Sequence, residues 1–271
     1  MPASPIARIR TLLRKRGVLG TAARVAQVLW RRVVPRRVPP HPFDLEHGVE
    51  TGGLLMARNI RSGHAHDAQS TAYYGTQPSV FRAAIARWIE DISAAGQNVR
   101  EFTFVDIGCG KGRVLMLASN HPFRRVLGIE LSPSLVQRAR ENLGRWTARP
   151  HPCDCIEVIE SDVLDFALPD GPLLLYLYHP FEAELFGQWV HFLAAQLAAR
   201  ATTVYVLYLN PYHQKMLRAL PCAEHLWSDV CAFNPQESAA RQLSDAATPV
   251  ALYRLTPTDQ PRMPSTGADG Q

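Results

Sequence analysis

The chain has 271 residues, 46% of them hydrophobic and 20% charged, an ordinary globular composition with room for one large domain and extensions. No run approaches the roughly 20 consecutive apolar residues of a bilayer-spanning helix. The net charge of +5 hides an asymmetry: ten Lys and Arg residues precede the first acid, Asp44, and the other 19 of the 29 basic residues stand against all 24 acids. A mildly acidic body argues against a broad nucleic-acid footprint, so any polyanion contact falls to the basic arm.

Five cysteines (Cys109, Cys153, Cys155, Cys222, Cys231) are an odd number and do not read as a disulfide framework, which points to a reducing cytoplasm. Cys153-Asp154-Cys155 is a lone pair, short of the four ligands usual for zinc. It reads as an ordinary loop-to-strand segment, and no metal site is expected.

Residues 1–42 form a basic arm. Ile6, Ile9, Leu12, Val18, Ala22, Val25, Leu29 and Val33 recur at helical spacing, broken at Gly17 and Gly20, before Pro35, Pro39, Pro40 and Pro42 make an extended linker. Three roles fit the arm: a basic amphipathic helix on an anionic membrane through residues 1–37, a targeting segment, or a helix packed on the body or a partner. Arginines interrupt the early apolar stretches, so a secretory signal is not expected. The expected location is cytoplasmic, peripheral at the membrane if the first role holds.

Residues 43–78 are polar and aperiodic, as lids and binding loops often are. Over residues 79–255 strands and helices alternate. Val80, Phe81, Ala84, Ile85, Trp88, Ile89 and Ile92 predict an amphipathic helix. Strands follow at Phe102–Ile107, Arg125–Glu130, Cys155–Glu160, Leu173–Tyr178 and Thr202–Leu209. Helices are expected at Arg113–Ser119, from Pro133 to about Leu143 with Ser132 as N-cap, at Glu182–Ala198 and near Pro211–Ala219. Two last strands, near His225–Phe233 and Val250–Leu255, have no long helix between them and suit an antiparallel edge. The predicted fold is α/β, a doubly wound, mostly parallel seven-stranded sheet. Residues 256–271 lack core residues and read as a disordered tail.

The chemistry-bearing run is Asp106-Ile107-Gly108-Cys109-Gly110-Lys111-Gly112-Arg113. An apolar strand ends in an acid, three alternating glycines turn the chain, and a helix follows. Arg113 spoils the dinucleotide pattern G-x-G-x-x-G, and the P-loop pattern fails too. A ligand with an amino-acid moiety, an adenosine and no phosphate fits better, which is S-adenosylmethionine. Asp106 can take an ammonium, and the bare backbone at Gly108 and Gly110 admits a close approach. Glu130, 22 residues after Gly108 at the next strand end, can accept both ribose hydroxyls. Past the third strand, Asp162 can accept from an adenine amino group and the Val163 amide can reach a ring nitrogen, with Asp165 as the competing acid.

With these residues the chain resembles the class I, Rossmann-like S-adenosylmethionine-dependent methyltransferases over roughly residues 72–255. Asp106–Gly112 corresponds to the family's first motif, Glu130 to its ribose-binding acid, Asp162 to its adenine-side acid and Leu173–Phe181 to its fourth motif. Residues 43–53 (Phe-Asp-Leu-Glu-His-Gly-Val-Glu-Thr-Gly-Gly) resemble an opening found in uncharacterised bacterial members. Ala72-Tyr73-Tyr74-Gly75-Thr76-Gln77-Pro78 resembles the lid of protein-lysine methyltransferases, which implies that Tyr74 and Thr76 close over the cofactor. The resemblance departs at Tyr178-His179-Pro180-Phe181, where amine methyltransferases carry Asn or Asp in place of His179. Proline is expected to hold His179 extended, with its carbonyl and ring toward the cofactor. Phe181 can favour a developing cation, and neutral imidazole can act as a base. The expected reaction is methyl transfer to a nitrogen, or secondarily an oxygen, of a protein amine or small molecule. The rival reading is a catalytically silent Rossmann-like protein that binds the cofactor or a partner.

Overall fold

The computed structural model describes residues 40–147, 149–198, 202–240 and 246–257. The basic arm before Pro40 and nearly all of the expected tail lie outside the described residues. In chain order the elements are α1 (Pro42–His47), β1 (Leu54–Leu55), β2 (Tyr73–Tyr74), α2 (Pro78–Ala94), β3 (Thr103–Ile107), α3 (Arg113–Ser119), β4 (Arg125–Glu130), α4 (Pro133–Trp146), β5 (Ile156–Glu160), β6 (Leu173–Tyr178), α5 (Ala183–Ala198), β7 (Val204–Leu209), α6 (Gln214–Arg218), β8 (Ala223–Ala232), α7 (Pro235–Ala239) and β9 (Ala247–Leu255).

Seven strands form one sheet in the order β5-β4-β3-β6-β7-β9-β8. The first five run parallel, and β9 is antiparallel to both β7 and β8. The chain starts in the middle of the sheet, winds outward to β5, then returns across β3 to build the other half. The reversal lies between β3 and β4 on one side and β6 on the other, and ligands of open α/β sheets bind at the carboxyl ends of such strands. β3 and β7 are buried along their whole length, which explains their continuous apolar sequences.

Alternate side chains feed two cores, as a two-residue period requires. Phe104, Tyr176 and Tyr205 face one side, with Trp88 and Phe81 of α2 and Leu115 of α3. There the rings of Trp88 and Phe102 meet edge-on at 5.1 Å, and Trp88 stacks on Phe123 at 5.7 Å. Val105, Ile107, Leu175 and Leu177 face the other, with Phe186 and Trp189 of α5.

Two expectations change. Ser132 stands at the N-cap of α4 but does not cap it. Its hydroxyl pairs with that of Ser134 at 3.0 Å, and its amide donates to Glu130. Residues 43–78 also have more order than their lack of periodicity suggests. They hold α1, the two-residue ladder β1–β2 and two 3-10 turns, and their order comes from contacts with the domain.

Arg113 makes four of those contacts. It is the first residue of α3, only 3% exposed. Its Nε donates to Thr51 Oγ1 at 2.7 Å, and one Nη donates to the Thr76 carbonyl at 3.0 Å and the Gly75 carbonyl at 3.3 Å. The other Nη lies 3.7 Å from the Asp44 carboxylate. Asp44 in turn accepts from the amides of Thr51 (3.0 Å) and Gly52 (2.7 Å) and from the Thr51 hydroxyl. Lys111 donates to the Gly52 carbonyl at 2.9 Å, and Asn142 holds both the amide and the carbonyl of Glu50. Replacing Arg113 with Met should therefore cost about 3–5 kcal/mol, because it strands a largely buried carboxylate and several carbonyls. Urea unfolding checks this, and a loss below 1 kcal/mol would show that the segment is held elsewhere.

Candidate active site

A cavity of about 450 Å³ opens at the carboxyl ends of the parallel strands, a size suited to a small molecule or cofactor. Each of the five parallel strands brings at least one polar side chain to its wall: Asp106 in β3, Glu130 ending β4, and Asp162, His179 and Asn210 just past β5, β6 and β7. Tyr74, Thr76, Gly108, Val163, Pro180 and Phe181 also line it.

The glycine turn is built from both neighbouring strands. The amides of Gly108 and Cys109 donate to the Ile129 carbonyl at 2.8 and 2.9 Å. Gly108 has φ +79, and a Cβ there would stand 2.9 Å from the Pro180 ring. Gly110 has φ +54 and lies under the Tyr73 ring, whose nearest carbon would be 2.3 Å from an added Cβ. Neither position tolerates a side chain. Among the described residues Gly110 and Gly112 do not line the cavity. Gly110 donates its amide to Glu130, and Gly112 packs against Ala139 of α4.

The acids differ in their partners. Glu130 accepts from the Gly110 amide on one oxygen and the Ser132 amide on the other, both at 2.9 Å. Burial raises its pKa, and backbone donors from Ser132, Gly110 and Leu131 oppose the rise. A carboxylate has about four acceptor sites, so Glu130 retains capacity for a diol. Asp106 is 3% exposed, and no hydrogen-bond donor among the described residues reaches its carboxylate. Burial first, then the Glu130 charge, pushes its pKa well up. A buried carboxylate in that position calls for a cation, and the ammonium of an amino-acid moiety meets that need. On these observations the site fits S-adenosylmethionine. Asp162 is less free than expected: one oxygen accepts from the Leu164 amide at 2.8 Å, and the other lies 2.7 Å from His66 Nδ1.

The lid residues also find protein partners. Thr76 Oγ1 pairs with the Tyr176 hydroxyl at 2.9 Å, and the Tyr74 hydroxyl accepts from Gln77 at 3.0 Å. Tyr73, not singled out in the sequence, covers Gly110 and donates to the Thr51 carbonyl at 2.6 Å.

His179 is not extended. Its φ is +44, a left-handed conformation that costs a non-glycine residue on the order of 1–3 kcal/mol. Its carbonyl accepts from Thr71 Oγ1 at 2.8 Å, the Thr71 amide donates to the Pro180 carbonyl, and the Glu182 amide donates to the Gln69 carbonyl. Residues 69–71 thus pair with 180–182, and this pairing claims the carbonyl that was expected to face the cofactor. The imidazole lies against the rings of Tyr212 at 4.7 Å and His213 at 5.1 Å, with Nδ1 3.4 Å from the Tyr208 hydroxyl.

Sequence reading also missed Asn210. Asn210-Pro211-Tyr212 repeats the X-Pro-aromatic pattern of His179-Pro180-Phe181 at the end of the next strand, and Asn210 too is left-handed, with φ +52. The pairing of Tyr178 with Leu209 sets the two turns side by side. The repeated pattern was the available signal.

The model of a methyltransferase domain family matches residues 104–197. The match runs from β3 to α5, and the seven-stranded sheet and its site agree with a Rossmann-like, S-adenosylmethionine-dependent methyltransferase domain. The chain is 33% identical over 105 residues to a ribosomal protein L11 methyltransferase of Alteromonas mediterranea, covering 37% of this chain and 33% of that protein. It is 29% identical over 132 residues to a trans-aconitate 2-methyltransferase of Streptomyces coelicolor, covering 47% and 41%. It therefore spans about a third of the first of these relatives and two fifths of the second. Among solved structures, an RNA methyltransferase from Salinibacter ruber in complex with S-adenosyl-L-homocysteine aligns with 67% of this chain and 95% of that chain, at 21% identity and a TM-score of 0.40.

Glu130→Ala removes the diol acceptor. By calorimetry it should weaken S-adenosylhomocysteine binding roughly ten- to hundredfold, from a loss of about 1.5–3 kcal/mol. An unchanged Kd would exclude Glu130 from the ribose subsite.

Proposed function

We propose that this protein is a methyltransferase that moves the methyl group of S-adenosylmethionine to a nitrogen of a protein amine or small-molecule amine. In this reading Asp106 holds the ammonium, Glu130 the ribose hydroxyls, and Asp162 with the Val163 amide the adenine edge. When bound, S-adenosylmethionine supplies a sulfonium-activated methyl group, whose in-line displacement depends chiefly on positioning.

One observation carries the nitrogen assignment: two adjacent left-handed X-Pro-aromatic turns place His179 and Asn210 together on the cavity wall. An amine needs acceptors that orient its lone pair, and a carboxamide oxygen and a neutral imidazole are such acceptors. Phe181 adds an apolar, electron-rich face where positive charge grows. The two relatives, named for a ribosomal protein and for trans-aconitate, support a protein or a small molecule as acceptor; trans-aconitate has no nitrogen, so it supports an oxygen acceptor as the second reading. The five free thiols support a reducing compartment such as the cytoplasm.

Burial, and then the neighbouring His213, lowers the His179 pKa below its ordinary 6.5, while Glu182 opposes the shift. The ring is therefore neutral at pH 7, and its acceptor role is lost only as pH falls through that lowered value. The rate should hold level down to about pH 6.5 and decline below it. His179→Gln should lower kcat roughly a hundredfold and abolish the acid limb. A limb that persists in the variant would assign it to another group.

The acceptor atom can be tested with tritiated S-adenosylmethionine and a cell extract split into protein and small-molecule fractions. Label that survives mild base, in a product requiring His179 and Asn210, fits N-methylation. Base-labile label would mark an O-methyl ester and reject the nitrogen assignment.

A further inference from the structure

Two histidines in the segment between β1 and β2 converge with an acid from the sheet. His66 Nδ1 lies 2.7 Å from Asp162 Oδ2, and His64 Nδ1 lies 3.5 Å from the same oxygen. The three ligand atoms all fall within 4.8 Å of one another. Ligands about 2.0–2.2 Å from a shared tetrahedral ion stand about 3.3–3.5 Å apart, so small side-chain shifts would bring these three onto one ion. We propose that His64, His66 and Asp162 bind a divalent transition-metal ion, with Zn²⁺ the best match, and that the ion clasps this segment to the end of β5.

Lone pairs carry the argument. His64 Nδ1 lies 3.2 Å from the His66 amide, a long hydrogen bond to its one lone pair, so in that tautomer it carries no proton and ligation would exchange this bond for the ion. It nevertheless faces a carboxylate oxygen at 3.5 Å. Two acceptors pointed at each other repel unless a cation lies between them. The single proton of the His66–Asp162 hydrogen bond serves only one of the two imidazoles. A metal ion serves both at once. Two neutral imidazoles and one carboxylate are a set that Zn²⁺ favours over Mg²⁺ or Ca²⁺, and water can fill the fourth position.

Each ligand is also held from behind, as metal ligands usually are. Asp162 Oδ1 is occupied by the Leu164 amide at 2.8 Å, which turns Oδ2 toward the histidines. Asp67 ties the loop just before His64 by accepting from the Ser62 amide at 3.0 Å and the Gly63 amide at 2.8 Å. The His64 and His66 rings meet at 65° with centroids 5.0 Å apart, so they present edges rather than faces. Neither histidine lines the cavity, whereas Asp162 does. The ion would therefore stand behind the cavity wall and act by holding the segment closed, with no part in the transfer step.

The test uses the full chain without an affinity tag, titrated with ZnCl₂ by calorimetry, and with CoCl₂ for its visible absorption. The expected result is one Zn²⁺ per chain, a Co²⁺ spectrum of tetrahedral nitrogen and oxygen ligation, and at least tenfold weaker binding in His64→Ala and in His66→Gln. Glutamine can still donate a hydrogen bond to Asp162, so His66→Gln separates metal ligation from a purely structural contact. Zn²⁺ should also slow tryptic cleavage at Arg61 in the wild type and leave the rate unchanged in the variants. No binding, or one-to-one binding that survives in His66→Gln, would overturn the proposal, the second outcome by placing the ion elsewhere. No measurement here uses methyl transfer, so failure of the metal site and failure of the proposed reaction are distinguishable.

Discussion

The buried Arg113 guanidinium organises the cofactor side of this molecule. A charge that is 3% exposed is tolerable only if its donors find partners. Arg113 finds most of them in the segment that precedes the sheet: the hydroxyl of Thr51 and the carbonyls of Gly75 and Thr76, while its second Nη makes no hydrogen bond and lies at ion-pair distance from Asp44. The first residue after the glycine turn thereby anchors both ends of the segment that covers the turn. Tyr73 then lies directly on Gly110. The glycine turn and its cover are thus one hydrogen-bonded unit, in which Gly110 leaves room for Tyr73 and Gly108 for Pro180 on the cavity wall.

Electrostatics at the strand ends follow from this enclosure. Burial raises the cost of ionising both Asp106 and Glu130, and the Glu130 charge adds to it at Asp106. The backbone relieves Glu130 with two amides, whereas Asp106 is left to a cation from outside. The pocket is therefore incomplete in charge as well as in volume, a reason for it to bind a ligand that carries an ammonium and a sulfonium. At the opposite end, two strained turns bring His179 and Asn210 together. Strain of this kind persists where surrounding structure holds it, here the pairing of residues 69–71 with 180–182 for His179 and the Asn210 amide's bond to the Pro249 carbonyl for Asn210.

The fold was legible because its signals are local. Apolar runs such as Leu173–Tyr178 and the periodic helix around Trp88 depend on neighbours two to four residues away, and they appear where expected. The positions of the three acids proposed for the cofactor were legible for a similar reason, since Asp106, Glu130 and Asp162 fall at or within two residues of strand ends. The segment 43–78 was not, because its order comes from Arg113, Lys111 and Asn142, which lie 30 to 100 residues away and have no periodicity to announce them. Asn210 was missed although its turn repeats that of His179, because the family resemblance directed attention to one strand end.

The sequence by itself determined the alternation of strands and helices, the glycine turn and the three acids, since backbone propensity, burial period and strand-end chemistry are written in short stretches of residues. Only the tertiary structure decided how those groups are used. It spent the His179 carbonyl on Thr71, turned Asp162 toward His66, and buried Arg113 beneath the segment 44–76. The physical reason is that a hydrogen-bonding group has few partners to give, and which partner takes them depends on distances that exist only once the chain has folded.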